Sequence, residues 1–294
     1  GEEVAVKVQY PGVEGTVEAD LGNLKLLLRT VQGIARDVMR QKIDTAAIYR
    51  ELEERLREEL DYVGEARNME EFARLFADDD EIVIPGVVKE LSSCRVLTMT
   101  YVDGYPLADV MHREVELELR RWVARKCETI VWRQIVEFGV LHTDFHPGNY
   151  VVTFHPRLGI LDFGSIRRFP ESIRKANLMV ATGIVEGDDK LIARGMRGLG
   201  FLAADQDARP MVKIIHLVFE PMFADREYDP KEYDTVGKAA QVGEIALAHK
   251  LYSSPAHAVF LLRALVGLEG IVSRLSVKDN YRAIFRECVE RANK

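Results

Sequence analysis

The sequence predicts an α+β protein with two lobes, a small mixed α/β lobe followed by a mostly helical one. A β-branched run near the start ends in Pro-Gly, and two more strand candidates precede residue 107. Beyond that point, apolar residues recur mainly at helical spacing. We therefore expect an N-terminal lobe over residues 1–107 and a C-terminal lobe over residues 108–294, a length sufficient for a substantial core.

The N-terminal lobe is expected to begin with a strand. The stretch "EEVAVKVQYPG", residues 2–12, is rich in β-branched residues and ends in a turn. Helical spacing then predicts a helix over residues 17–40 and one long amphipathic helix over residues 43–77. The stretches "EIVIPGVV" and "CRVLTMTYV" predict two further strands. The apolar stripe of the long helix comprises Ile48, Leu52, Leu56, Leu60 and Val63.

The C-terminal lobe is expected to consist mainly of helices. Residues 114–138 form one long predicted helix, and a loop with a short strand hairpin follows in residues 142–164. Helices separated by turn-rich segments account for residues 171–294. We interpret the apolar stretch 259–272 as a core helix, since it is shorter than the ~18 apolar residues that span a bilayer.

The composition excludes several functional classes. A net charge of −7 gives no basic surface for nucleic acid, so we expect no nucleic-acid partner. Cys94, Cys127 and Cys288 have neither metal-binding nor disulfide spacing and indicate a reducing compartment. The chain shows no signal peptide and begins without Met in what the pattern predicts to be the second strand of a hairpin. We therefore expect an upstream segment to be missing, with any targeting or membrane segment that it carries.

The stretch "HTDFHPGNYVVTFHPRLGILDFG", residues 142–164, contains the residues suited to chemistry. Asn149 follows Asp144 by five positions, and Asp162 stands in an Asp-Phe-Gly turn after an apolar run. Magnesium in nucleotide sites is held by one or two side chains together with phosphate oxygens, which suits Asn149 and Asp162. Asp144 then has the position of the carboxylate that orients or deprotonates the attacking group in phosphoryl transfer.

The protein-kinase pattern joins these features to an upstream lysine. That pattern has V-A-I-K, H-R-D-x-x-x-x-N and D-F-G in order, with a helix glutamate paired to the lysine. This sequence has "VAVK", "HTDFHPGN" and "LDFG" in the same order, which makes Lys7 the predicted phosphate-binding lysine. Asp61 and Glu65 share a face of the predicted helix, and we favour Glu65 as the partner. The acids considered are Glu58, Glu59, Asp61 and Glu65.

The stretch "RVLTMTYVDG" is predicted to form the strand and hinge that join the two lobes. Met99 would then lie beside the nucleotide, and the backbone of Thr100, Tyr101 and Val102 would face the edge of the adenine. Backbone groups serve this purpose whatever the side chains are, so an ordinary edge strand is the alternative.

Together these motifs resemble those of the UbiB family of atypical kinase-like proteins. The motifs are "VAVKVQYPGV", "EELDYVGEARN", "VLTMTYVDG", "HTDFHPGN" and "LDFG", and they span residues 4–164. The resemblance implies a two-lobed protein-kinase-like fold that binds ATP and magnesium and acts as an ATP-dependent phosphotransferase or ATPase. It also implies support of prenyl-quinone biosynthesis of the ubiquinone type, with a prenyl-quinone or lipid and quinone-biosynthesis proteins as partners.

The resemblance also assigns roles by position. Lys7 would contact the nucleotide phosphates, and Glu65 would hold Lys7. Asp144 would be the catalytic-loop aspartate, and Asn149 and Asp162 would be ligands of magnesium. These five residues are the predicted catalytic and metal-binding set.

Two further implications concern the surroundings of this set. Glu59 and Asp61 match the family's acidic E-x-D pair, which in relatives faces an N-terminal extension. The family acts at membranes, which implies peripheral association with the cytoplasmic face of a bacterial inner membrane, or a place in the matrix of a mitochondrion or plastid.

The sequence departs from the family and from ordinary kinases in two respects. The K-x-G-Q helices and the alanine-rich nucleotide loop do not precede the first strand, so we expect them in the missing upstream segment. After Asp-Phe-Gly the chain continues through "SIRRFPESIRKANLM" directly into a predicted helix, without A-P-E. This second departure argues against a peptide-binding platform of the usual protein-kinase kind.

Other interpretations of the motifs are weaker. His142, Asp144 and His146 suggest a zinc hydrolase, but no H-E-x-x-H accompanies them. The stretch "GLGFLA" matches a dinucleotide-binding pattern only nominally, because no strand precedes it. Two alternatives stay open: a kinase-fold protein that binds nucleotide without turnover, and a small-molecule kinase.

Overall fold

The structure is a computed structural model, and its chain forms two compact units. The first unit comprises Gly1–Val102 and Leu161–Ser165, and the second comprises Asp103–Ile160 and Ile166–Lys294. The residues that the structure describes are 1–37, 49, 53, 56–112, 114–251 and 255–294.

The first unit contains an antiparallel pair of strands. Strand β1 (Val4–Val8) pairs with β3 (Val96–Thr100), and Lys7 lies opposite Leu97 in this register. Both strands were predicted from their β-branched runs. The stretch "EIVIPGVV" forms only the two-residue strand β2 (Ile82–Val83), because Pro85 and Gly86 interrupt it.

Two helices of the first unit are described, and one of them begins later than predicted. Helix α1 (Val13–Asp37) contains residues 17–37 of the first predicted helix and begins four residues earlier, whereas residues 38–40 lie outside the described residues. Helix α2 (Tyr62–Leu75) is the second half of the predicted long helix, which a turn interrupts at Glu59 and Leu60. The prediction of one continuous helix is therefore wrong at this point. Of its apolar stripe, Ile48 and Leu52 lie outside the described residues.

Asp61 is the reason that the long helix breaks. Its side chain caps the N-terminus of α2, where Oδ1 accepts a hydrogen bond of 2.8 Å from the backbone N–H of Gly64. A Cβ atom at Gly64 would crowd this carboxylate, so a side chain there would require the Asp61 side chain to shift. Asp61 consequently stands before the helix and does not share a helix face with Glu65 as the sequence suggested.

Helix α2 buries one face in the first unit. Tyr62, Glu65, Met69 and Phe72 are all buried, at the spacing of a single helical stripe. The ring of Phe72 packs edge-on against Phe163, with the ring centroids 5.2 Å apart. Glu65 is the only carboxylate among these four residues.

The second unit contains two small antiparallel groups of strands. Strand β6 (Tyr150–Thr153) pairs with β4 (Gly104–Pro106) on one side and with β7 (Leu158–Ile160) on the other. This β6–β7 pair is the predicted hairpin. Strand β5 (Val140–His142) pairs with β8 (Ile166–Arg168), which leads almost directly into the next helix.

Helices make up most of the second unit, as predicted. Those near its start are α3 (Leu107–His112), α4 (Leu117–Trp132) and a π-helical segment (Arg133–Phe138). Those that follow the strands are α5 (Glu171–Glu186), α6 (Asp189–Gly198), α7 (Arg209–Val218), α8 (Glu220–Phe223), α9 (Thr235–Ala248), α10 (Ala256–Leu275) and α11 (Tyr281–Ala292).

Helix α10 has a buried face and an exposed face. Leu261, Ala264, Leu268 and Ile271 are buried, in line with the predicted core helix, whereas Leu262 is 63% exposed. Within the described residues, the structure contains no helix with the length and apolar character needed to cross a membrane.

Candidate functional site

Lys7 and Glu65 form an ion pair in the first unit. The Lys7 Nζ lies 2.9 Å from each carboxylate oxygen of Glu65 and 3.3 Å from Oδ2 of Asp162. The side chain of Glu65 is 2% exposed, whereas those of Lys7 and Asp162 are 37% and 39% exposed. The buried Glu65 therefore fixes the position of an ammonium group that is still partly accessible. Of the four candidate acids, Glu65 is the one that the sequence favoured.

The surroundings raise the pKa of both partners, with opposite effects on their charged forms. Burial would lower the pKa of Lys7, but the charges of Asp162 and Glu65 outweigh it, so the pKa lies above its ordinary value. Burial raises the pKa of Glu65, because Lys7 compensates only in part and the Asp162 carboxylate adds to the shift. The two carboxylates thus favour the charged form of Lys7. Lys7 in turn offsets only part of the effect of burial on Glu65.

Helix α2 also holds the Asp-Phe-Gly turn. The side-chain amide of Asn68 donates a hydrogen bond of 2.8 Å to the carbonyl oxygen of Phe163. The backbone N–H of Phe163 donates one of 3.4 Å to Oε1 of Glu65. Oδ1 of Asp162 accepts a hydrogen bond of 2.9 Å from Gly164 N–H. Because Glu65 and Asn68 lie one turn apart, a single helix positions Lys7 and the turn that carries Asp162.

The predicted hinge strand offers fewer free backbone donors than the sequence suggested. The N–H of Thr100 donates to Gly86 O over 2.8 Å, and the N–H of Tyr101 donates to Glu3 O over 3.1 Å. Both donors are thus used within the first unit. The N–H of Val102 makes no hydrogen bond to any described residue. Met99 is buried in β3, and the contacts of this stretch with a nucleotide base stay a prediction.

In the second unit, Asp144 is held by two side chains. Nη2 of Arg263 in α10 donates to Oδ1 of Asp144 over 2.7 Å, and Nδ2 of Asn149 donates to Oδ2 over 3.0 Å. Burial would raise the pKa of Asp144, but these hydrogen bonds and the charge of Arg263 outweigh it and lower the pKa. Asp144 is therefore an ionised carboxylate of fixed orientation, with 41% of its side chain exposed.

The orientation of Asn149 suits a cation ligand. Its Nδ2 also donates to the backbone oxygen of Asp144 over 3.1 Å, so both hydrogen bonds of the amide group use the nitrogen. The amide oxygen accepts no hydrogen bond from the described residues. An amide oxygen with this freedom is a hard ligand of the kind that magnesium accepts.

The two histidines beside Asp144 serve the loop itself. Nδ1 of His142 accepts a hydrogen bond of 3.2 Å from Asp144 N–H, and Nδ1 of His146 accepts one of 3.1 Å from Gly148 N–H. Oε1 of Gln134 in turn accepts one of 2.6 Å from His142 N–H. Among the described residues, no group of three or more His, Cys, Asp or Glu side chains is placed to hold a metal ion. The zinc-hydrolase interpretation therefore has no support from the geometry.

Helix α10 approaches the loop that carries Asp144 closely at Gly267. A Cβ atom at this position would overlap the carbonyl oxygen of Phe145, the residue after Asp144. Three positions later, a Cβ atom at Gly270 would meet nothing within 4 Å. Substitution of Gly267 therefore tests the close approach of α10 to the loop, and the same substitution at Gly270 is its control.

We expect Gly267→Ala to lower the free energy of unfolding by about 1–3 kcal/mol, because the loop must move away from the new methyl group. Gly270→Ala should raise it by up to about 1 kcal/mol, since alanine favours the helix more than glycine does. Urea unfolding measures both changes. Equal stabilisation by the two variants would contradict the close approach of α10 to the loop.

Several residues of these two centres escaped prediction. Arg263 and Gly267 are separated from Asp144 by more than a hundred residues, and no local pattern marks them. Asn68 belongs to the quoted "EARN" motif, so its position was visible although its role was not. Glu59 lies exposed in the turn before α2, and the role that the family resemblance implies for it and Asp61 stays a prediction.

Comparisons with known proteins agree with the motifs. The profile of the ABC1 atypical kinase-like domain matches residues 1–196. The chain is 34% identical over 223 residues to Protein ACTIVITY OF BC1 COMPLEX KINASE 1, chloroplastic, from Arabidopsis thaliana, covering 75% of this chain and 32% of that protein. It is 31% identical to Atypical kinase coq-8, mitochondrial, from Caenorhabditis elegans, covering 99% of this chain and 38% of that protein. The chain thus spans less than half the length of these two relatives.

A solved structure has the same fold. The Rv3197–erythromycin complex from Mycobacterium tuberculosis matches with a TM-score of 0.73 at 24% identity, covering 98% of this chain and 71% of that chain. The predicted kinase-like fold, with a small strand-containing part and a mostly helical remainder, is confirmed.

Proposed function

Because this chain belongs to the ABC1 family of atypical kinase-like proteins, the UbiB group that its motifs predict, we propose that it binds Mg-ATP and hydrolyses it or transfers its γ-phosphoryl group. The observation that carries this proposal is the ion pair between Lys7 and the buried Glu65, with Asp162 beside it. Phosphoryl transfer needs a positioned nucleotide and compensation of phosphate charge more than covalent chemistry, and these residues provide both.

Lys7 is suited to bind phosphate. Its pKa lies above the ordinary value through Asp162 and Glu65, so the ammonium stays charged at neutral pH. Glu65 and Asp162 hold it at one place, and the group is 37% exposed. A cation that is already held in place attracts phosphate oxygens with little further loss of side-chain entropy when the nucleotide binds.

Asp144 is suited to act on the attacking group. It is ionised and oriented by Arg263 and Asn149, so it can accept a hydrogen bond from a hydroxyl group or a water molecule and take its proton. Asp162 and the amide oxygen of Asn149 are the residues that would hold magnesium. Bound magnesium would neutralise the charge on the phosphate oxygens.

The biological role follows from the relatives. Two of them are named Protein ACTIVITY OF BC1 COMPLEX KINASE 1, chloroplastic, and Atypical kinase coq-8, mitochondrial. We propose that this protein supports prenyl-quinone biosynthesis and associates peripherally with a membrane of an organelle or a bacterial cell. The proposed role in prenyl-quinone biosynthesis comes from the family resemblance. It requires the ATP chemistry proposed above.

Thermal unfolding with Mg-ATP tests the nucleotide site. Saturation at about 100 times Kd should add roughly 2.7 kcal/mol to the stability of the wild type. Asp162→Asn should lose most of this magnesium-dependent gain, because it removes a carboxylate from the proposed metal site. Asp80→Asn makes the same change of charge at an exposed residue of the first unit and should keep the full gain. No gain in the wild type would refute the proposal of ATP binding.

A further inference from the structure

The second unit contains an apolar cavity apart from Asp144 and its partners. Its volume is about 340 Å³, within the range of small-molecule sites. Helices α4, α9 and α10 and the segment from Val218 to Tyr233 provide its walls. The aromatic residues of its lining are Trp132, Phe219, Tyr228, Tyr233 and Tyr281.

Two carboxyl groups interrupt this apolar lining. Glu128 is only 6% exposed, and its Oε2 accepts a hydrogen bond of 2.7 Å from Nε1 of Trp132. Its other oxygen receives no hydrogen bond from the described part of the chain, and neither oxygen of Glu269 receives one there. These carboxylate oxygens are acceptors for a ligand that carries N–H groups into the cavity.

The surroundings of the cavity raise the pKa of both carboxyl groups. Burial raises the pKa of Glu128 to about 7. The hydrogen bond from Trp132 opposes this rise, and the charge of Glu269 adds to it. Burial also raises the pKa of Glu269, and the charge of Lys238 opposes this only in part. A second cation in the cavity would relieve both shifts, because it would favour the ionised forms.

Lys238 shows that this cavity accommodates an ammonium group. Its Nζ lies 4.0 Å from the ring centroid of Tyr233, in a cation–π contact. The same group pairs with Glu220, which does not line the cavity. Lys238 is therefore shared between Glu220 outside the cavity and Glu269 inside it, so it compensates the two carboxyl groups of the cavity only in part.

We propose that this cavity is a binding site for a hydrophobic organic cation, an amine or quaternary ammonium with an apolar body. The ammonium group would lie between Glu128 and Glu269 and against the aromatic rings. Aromatic faces combined with carboxylates are the chemistry that recognises organic ammonium ions. The apolar body would cover Leu262 and Val266 of α10, which line the cavity yet are 63% and 61% exposed.

A titration with two matched probes tests this inference. Phenylbutylamine and phenylbutanol have the same number of heavy atoms, and the amine alone is charged at about pH 8. Isothermal titration calorimetry on the wild type should show at least about tenfold tighter binding of the amine. Glu269→Gln and Glu128→Gln should each reduce this preference to less than about threefold. Glu244→Gln, at an exposed position of α9 outside the cavity, should leave it unchanged.

The other outcomes overturn the inference. Equal affinity of the two probes would make the cavity a site for neutral apolar molecules. Binding of the amine that neither glutamine variant weakens would place it elsewhere on the protein. Absence of binding by either probe would refute a ligand site for this class. Both glutamine variants preserve side-chain volume, and a cooperative thermal unfolding transition without any ligand verifies that they are folded.

Discussion

Asp144→Asn is expected to leave the affinity for Mg-ATP within about twofold of the wild type and to lower kcat by about a thousandfold or more. The variant removes the negative charge that accepts the proton of the attacking group. It keeps an amide oxygen that can still accept from Arg263, so the loop should hold its position. Calorimetry gives the affinity, and phosphate release or labelling of an acceptor gives the turnover.

Asp205→Asn is the control for this experiment. Asp205 is exposed in the second unit, so the change of charge is the same and the proposed site is untouched. Wild-type turnover by Asp144→Asn would show that Asp144 is not the residue that acts on the attacking group. Loss of binding together with turnover would instead assign Asp144 to nucleotide binding.

Lys7→Met is expected to lower the free energy of unfolding by about 2–3 kcal/mol at neutral pH. Methionine fills a similar volume but leaves the carboxylate of Glu65, which is 2% exposed, without its cation. Asp162 adds a second negative charge beside it, since both acids contact Nζ of Lys7 in the wild type. The same variant should lose the thermal gain with Mg-ATP. Urea unfolding measures the first effect.

The destabilisation by Lys7→Met should depend on pH. In the variant the pKa of Glu65 should rise further above its ordinary value, because the opposing charge of Lys7 is gone. A carboxyl whose pKa is raised on folding costs stability as pH rises from its unfolded value of about 4.3 through the folded value. The difference between variant and wild type should thus be small near pH 4 and larger at neutral pH.

Lys89→Met provides the matched control. Lys89 forms an ion pair of 2.6 Å with Glu70, on the same helix α2 as Glu65, but its side chain is 72% exposed. Exposed pairs of this kind contribute little, so the midpoint of unfolding should barely move. A similar loss in both lysine variants would contradict the importance of burying Glu65.

Local patterns in the sequence predicted much of the fold. The β-branched runs around Lys7 and Met99 became paired strands, and the hairpin between Asn149 and Asp162 formed as expected. The break at Asp61 was missed because the segment around it is rich in acidic residues. In such a segment, an aspartate that caps a helix looks the same as one on the solvated face of a helix. What distinguishes them is the hydrogen bond that the backbone N–H of Gly64 donates to the Asp61 carboxylate, which only the folded chain shows.

The partners of the site residues were predictable where a motif or a fixed spacing marks them. Glu65 follows from the motif although it lies 58 residues from Lys7, and Asn149 follows from its distance to Asp144 along the chain. Arg263 contacts Asp144 from 119 residues away, through the packing of α10, and its own neighbourhood in the sequence is apolar. Contacts of this kind depend on tertiary structure, which the periodicity of single segments does not encode.

The fate of the γ-phosphoryl group of ATP distinguishes an enzyme that turns ATP over from a protein that only binds it. The measurement follows this group with the wild type, with and without magnesium, and with Asp144→Asn. We expect magnesium-dependent release of phosphate, or its transfer to an acceptor, in the wild type and none above background in the variant. A wild type that gains stability from Mg-ATP but neither releases nor transfers phosphate would contradict it, and the protein would then be a nucleotide-binding scaffold.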